Sequence, residues 1–147
     1  MTESAAMLLL LKDIVPESTL IPNSTDPSRS AFLRWLMVIN AALYPTFAYS
    51  DVPERWVQGD EQAAGRLKTG VDDHRKTLLT VLEQHAVGPW FLGAQMSVLD
   101  LYFMTLRFWD PGLEWYAYHA PTLDRIGRDI AEIDPVRQVL SQYFDPS

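Results

Sequence analysis

Apolar residues recur along this chain at helical rather than strand spacing. A largely apolar stretch follows Gly93, where Leu101 to Trp109 is interrupted only by Thr105 and Arg107. A helix that is hydrophobic on nearly every side belongs in the middle of a domain. Its start is marked by Ser97 at the N-cap and Asp100 three residues on, a capping box with Asp where Glu or Gln is commoner. The Ser97 hydroxyl can accept from the Asp100 N–H, while the Asp100 carboxylate accepts from the N–H of Ser97. Met96 and Leu101 are spaced as a hydrophobic staple, and Gly93 supplies the turn before them. These roles are structural, since no histidine lies nearby in sequence to make Ser97 a nucleophile.

The remaining elements follow from the same pattern. Thr2 to Leu11 reads as an apolar helix beginning at or before the first residue, with an acid early and Lys12 late, and Pro16 closes it. Residues 16–25, rich in Ser, Thr, Pro and Asn, form a connector. Asp26-Pro27 then opens a helix on which Phe32, Trp35, Leu36, Ile39, Leu43 and Phe47 form one stripe and Leu33, Met37, Asn40 and Tyr44 a second. Two stripes imply that this helix faces something besides its own core, and Pro45 should kink it.

Gly59-Asp60 starts another helix, running to about Ala86, whose solvated face is read as Arg66, Lys68, Asp72, Asp73, Arg75 and Lys76. Asp110-Pro111-Gly112 stops the apolar helix, and Leu113 to His119 reads as an aromatic connector. Pro121 and Asp134-Pro135 open two short final helices.

Gly93, Met96, Ser97 and Asp100, with Trp90-Phe91-Leu92 leading in, resemble the G-x-x-h-S/T-x-x-D signature in the all-helical C-terminal domain of glutathione transferases. Glu3-Ser4-Ala5-Ala6-Met7 is similar to the motif that opens the last helix of that family's thioredoxin-like domain and holds the γ-glutamyl end of glutathione. The resemblance implies an all-α fold, a glutathione transferase C-terminal-like helical bundle around a buried central helix with an N-capping box. It implies residues 1–15 as a remnant last helix of a thioredoxin-like domain, 16–25 as the interdomain linker and 26–147 as the helical domain. Glu3 and Ser4 are then candidates for binding the γ-glutamyl group. A helix N-terminus with a hydroxyl favours a carboxylate, and a nearby acid favours an ammonium. Asn40, Tyr44 and Phe47 are candidates for a hydrophobic-substrate pocket, with core and interface packing as their other reading.

Composition narrows the chemistry. The chain has 147 residues, enough for one domain, with 48% hydrophobic and 21% charged residues. A net charge of −7 argues against nucleic acid and against an anionic membrane surface. With no cysteine, disulfides and Cys metal sites are excluded. His74 and His85, eleven residues apart on one helix, are separated by ~16 Å along its axis and cannot share a metal ion. The run from Ala5 to Leu11 is too short to span a bilayer and follows Glu3, so no targeting segment is expected, and the cytoplasm is the default location.

The family's strands, its cis-proline loop and its thiol-activating residue would all precede Met1. No catalytic residue is therefore assigned, and no metal. The expected function is a glutathione S-transferase-like protein that conjugates glutathione to a hydrophobic electrophile only if a thioredoxin-like half is supplied. The alternative is a non-catalytic helical dimerisation or protein-interaction module. Either reading expects a homodimer or a partner chain engaged through the 26–50 helix.

Overall fold

The computed structural model describes residues 2–143, so Met1 and 144–147, which the expected boundaries include, lie outside the described residues. Eight α-helices are found among them: α1 (Ser4–Ile14), α2 (Arg29–Val38), α3 (Tyr44–Asp51), α4 (Glu61–His85), α5 (Val98–Leu106), α6 (Leu113–His119), α7 (Pro121–Ala131) and α8 (Asp134–Tyr143). Among the described residues there is no strand, only an isolated antiparallel bridge between Trp90 and Gly93. The all-α class expected from the sequence is the one observed. The chain divides into two compact units between Gln84 and His85.

In the first unit, α2 and α3 are one helical stretch with a π turn, Ile39–Leu43, at its middle. Pro45 explains the turn: a prolyl nitrogen cannot donate to the carbonyl four residues back, and its ring would crowd that carbonyl. The backbone widens instead, with the Tyr44 N–H bonding to the Ile39 carbonyl. Thr46 Oγ1 donates to the Leu43 carbonyl at 2.6 Å, and Asn40 Nδ2 donates to that of Leu36 at 2.9 Å. The disturbed ladder is thus repaired by side chains. Asp26 does not sit at the helix N-cap as expected. Its Oδ1 accepts from the N–H and hydroxyl of Ser28, closing a turn that delivers the chain to α2 at Arg29. Arg29–Asp51 is long and apolar enough by composition to cross a bilayer, but Phe32, Leu36, Ile39 and Leu43 are fully buried, as in a globular core helix.

The second unit is built on α5. The capping box is complete: Ser97 Oγ accepts from the Leu99 N–H at 3.3 Å, and Asp100 Oδ2 accepts from the Ser97 N–H at 2.7 Å. The other carboxylate oxygen accepts from the Phe91 N–H at 2.8 Å, so Asp100 also anchors the preceding loop. That loop turns tightly, Trp90 and Gly93 exchanging both backbone hydrogen bonds, and Gly93 holds a φ of +124° that side-chain-bearing residues rarely adopt. The Phe91 ring then packs against Phe103 of α5, centroids 4.9 Å apart. Asp100 is fully buried. Burial pushes its carboxyl above the ordinary 3.8, and the hydrogen bonds from Phe91 and Ser97 pull it the other way.

At the far end of α5, Arg107 Nη2 meets Asp124 Oδ1 of α7 at 2.7 Å, both side chains buried, and Arg128 reaches Asp124 Oδ2 at 3.2 Å. The two helices approach at Gly127, where an added Cβ would lie 2.3 Å from Arg107 Cδ and 3.3 Å from Met104 Cα. Leu113–His119, expected as a connector, is the helix α6. Gly112 enters it at a φ of +88°, Tyr116 is buried, and Trp115 stacks on His119 one turn later, ring centroids 5.0 Å apart.

Replacing Asp100 by Ala leaves the buried Ser97 and Phe91 N–H groups without their acceptor, at roughly 1–3 kcal/mol each. Asp100→Ala should therefore lose about 3 kcal/mol in urea unfolding, and a loss under about 0.5 kcal/mol would remove the capping box from its central role. Gly127→Ala forces Arg107 and α5 apart, and should cost about 1–3 kcal/mol in the same measurement. An unchanged midpoint would mean that the two helices have slack.

Candidate functional site

Of the five candidate residues of the first unit, Ser4 and Asn40 form one pair, Tyr44 and Phe47 a second, and Glu3 stands beside Ser4. Glu3 precedes α1 with a φ of +65°, a sparsely populated conformation for a residue with a side chain, and is exposed. Ser4 begins the helix, and its hydroxyl donates to Asn40 Oδ1 at 2.6 Å. The structure thus joins the candidate for the γ-glutamyl end to a residue first read as pocket wall. Asn40 sits in the π turn, which puts its amide within reach of both Ser4 and the Leu36 carbonyl.

Tyr44 and Phe47 form the second pair, edge to face with centroids 6.2 Å apart. Tyr44 is half-buried, whereas Phe47 is buried with the Arg75 guanidinium 4.3 Å over its ring.

Arg75 was expected on the solvated face of α4, and the structure corrects this: it is 1% exposed. Its Nε donates to Thr46 Oγ1 at 3.0 Å, its Nη2 to the Thr46 carbonyl at 2.9 Å, and its Nη1 lies 3.1 Å from Asp72 Oδ1. Asp72 Oδ1 also accepts from Ser50 Oγ at 2.6 Å, and Lys68 closes on Asp72 Oδ2 at 2.7 Å. One signal in the sequence could have found this. Arg75 lies four residues before Leu79 and seven before Leu82, on the buried stripe rather than opposite it. His74 and His85 are both exposed on α4.

The electrostatics of this cluster are set at Asp72. Against desolvation by burial, which raises its carboxyl, the hydrogen bonds from Lys68 and Ser50 and the charges of Arg75 and Lys68 hold it below the ordinary 3.8. The cluster fixes α3 to α4 through Thr46 and Ser50. Its polar groups are engaged with one another, so it supports structure rather than catalysis.

Comparison with known proteins places this architecture. No protein-family model matches the chain. It is 34% identical over 143 residues to the uncharacterised GST-like protein YncG of Escherichia coli strain K12, spanning 97% of this chain and 67% of that protein. It is 31% identical over 113 residues to the glutathione S-transferase GST-4.5 of Xanthomonas campestris pv. campestris, spanning 74% of this chain and 53% of that one. Among solved structures, the ternary complex of BphK, a bacterial GST, superimposes with a TM-score of 0.73 at 23% identity, over 97% of this chain and 68% of its own. That likeness carries the fold. The chain therefore spans about two thirds of YncG and about half of GST-4.5.

The lowered Asp72 carboxyl fixes the sign of a pH effect. Its folded value lies below its unfolded one, so it contributes stability that is present above about 3.8 and is lost as pH falls through the folded value. Between pH 5 and pH 3, the native protein should thus lose more unfolding free energy than Asp72→Asn. Parallel pH curves for the two proteins would detach Asp72 from the cluster.

Proposed function

This chain belongs to the glutathione S-transferase family, and from that premise we propose that it is the helical part of a glutathione-conjugating enzyme completed by a thioredoxin-like half. The observation that carries this reading is the uncovered face of α1. Met7, Leu10, Leu11 and Ile14 follow the i, i+3, i+4, i+7 spacing of a buried stripe, yet are 45%, 40%, 52% and 64% exposed. Ala5 is the one buried residue of that helix. A surface of this kind is built to be covered.

The chemistry of the reading divides between the two halves. In conjugation, the thiolate left when glutathione loses its thiol proton attacks an electrophilic carbon, and a C–S bond forms. A leaving group departs with its bonding pair or, in an addition, the π pair shifts to the neighbouring atom, which takes up a proton. The protein lowers the thiol pKa with a hydrogen bond and holds both reactants. On this chain, Glu3 and Ser4 would bind the γ-glutamyl end. The N–H groups of the first turn of α1 and the Ser4 hydroxyl suit an amino-acid head group, with the Glu3 carboxylate for its ammonium. Asn40 in the π turn and Tyr44 at the start of α3, both half-buried, would face the electrophile. The thioredoxin-like half would supply thiol activation. Residues 1–15, 16–25 and 26–147 then correspond to the last helix of the thioredoxin-like half, the linker and the helical domain.

A second reading rests on Met37, Tyr49 and Trp56, apolar and exposed along and just beyond the same helix. It makes the chain a non-catalytic homodimer or protein-interaction module.

Two measurements separate them. Titration of the 147-residue chain with glutathione should shift backbone amide resonances around Glu3 and Ser4, and no shift at millimolar ligand would sink the glutathione reading. The segment of YncG outside the matched region, added as a separate polypeptide, should associate with the chain and confer conjugation of glutathione to an activated aryl halide. Leu11→Glu together with Ile14→Glu should abolish that association. Self-association without glutathione shifts would select the module.

A further inference from the structure

Helix α1 carries two apolar stripes, and the unit that contains it uses the weaker one. Ala5, Leu8, Leu9 and Lys12 recur at i, i+3, i+4 and i+7 on its inner side, where Ala5 is buried and the other three are half-buried. An alanine has little area to bury, and Lys12 ends the stripe with a charge. The outer stripe of Met7, Leu10, Leu11 and Ile14 holds four large apolar side chains and is exposed. The larger apolar face of α1 therefore does little to hold the helix in this unit.

Other supports of α1 are local. It has 11 residues, and a helix shorter than about 12–15 residues is marginal in water unless packing sustains it. Glu3 occupies the N-cap without a side-chain capping bond and at a φ of +65°, a backbone conformation whose cost is relieved when the turn opens. Lys12 Nζ donates to the Pro16 and Ser18 carbonyls at 2.6 and 2.7 Å, which ties the far end of α1 to its own connector. The bond from Ser4 to Asn40 reaches the π turn, but it is exposed and competes with water.

Resting on the reading of the outer stripe as the docking face for a thioredoxin-like half, we propose that α1 opens and recloses as a separate unit in the uncovered chain, and that docking completes its folding. In energetic terms the helix belongs to the half that covers it. While α1 is uncovered, the turn that carries Glu3 and Ser4 forms and dissolves with the helix. Covering the stripe holds that turn formed, so docking acts on the half-site through order rather than through contact.

Amide hydrogen exchange of the full chain reads the opening directly. Relative to their unfolded rates, the α1 amides from Leu8 to Ile14 should exchange at least about a hundredfold faster than those of Leu36, Leu79 and Leu82, which are fully buried in the same unit. Low urea should leave α1 exchange nearly unchanged while it speeds the other three, because a local opening exposes little new surface. The segment of YncG outside the matched region should then slow α1 exchange about tenfold or more, and should not do so for Leu11→Glu together with Ile14→Glu. Free-chain α1 amides as protected as Leu36 overturn the proposal and leave the docking reading intact. Association of the segment with no added protection in α1 does the same. No association overturns the docking reading, and the completion of α1 by docking with it.

Discussion

The second unit depends on a carboxylate that water does not reach. Burying an ionised group costs several kcal/mol unless hydrogen bonds replace its hydration. Asp100 recovers that cost from the N–H groups of Phe91 and Ser97 and from the Ser97 hydroxyl. The bonds are mutually dependent, because each donor is buried too and would be orphaned if the carboxylate moved. One residue thus sets where α5 begins and how the loop carrying Phe91 lies upon it. The other end of α5 is fixed by the opposite charge: Arg107 at the C-cap pairs with Asp124 in the first turn of α7. Acid at the start and base at the end follow the helix dipole, so each buried charge sits where the backbone partly compensates it.

The first unit solves a different problem. A proline inside a long helix removes a backbone donor and crowds a carbonyl. Here the helix accepts one wide turn and repairs its ladder with Asn40 and Thr46. The repair recruits α4, since Arg75 binds both the hydroxyl and the carbonyl of Thr46 while covering Phe47. Removing its partners would leave an arginine buried without compensation, which is why Asp72 and Thr46 belong to one unit of stability. A kink that looks like a defect in the pattern of Asp26 to Phe47 is therefore the point where two helices are locked together.

What was legible in the sequence was local. Ser97 and Asp100 announce a capping box because its partners are three residues apart, and the apolar run after them needs no distant information to be read as a core helix. Pro45 likewise predicts a disturbance at its own position. Arg75 was misread because a charged residue on a helix is ordinarily solvated. Acceptors on Thr46 and Asp72, the first of them in another helix, help to make its burial tolerable. The Ser4–Asn40 bond was illegible for the same reason, since nothing at either position specifies a partner 36 residues away. The aromatic run Leu113 to His119 was read as a connector because its two stacked rings and its one buried tyrosine carry no clean helical stripe.

On the proposed reading, α1 has two tasks, and their physics couples them. It buries little of itself in the first unit, where Ala5 is its one buried residue. Besides the Ser4 contact, Lys12 tethers its far end to the carbonyls of Pro16 and Ser18 at 2.6 and 2.7 Å. A helix held this lightly is positioned largely by whatever covers its apolar stripe. Covering Met7, Leu10, Leu11 and Ile14 would steady the turn that presents Ser4 to Asn40. A ligand bound at that turn would then cost less ordering entropy. Linkage makes the effect reciprocal, so glutathione must tighten the docking by the same factor by which docking tightens glutathione. On that reading the half-site and the docking face would be one device, with the hydrogen bond between Ser4 and Asn40 at the helix end they share.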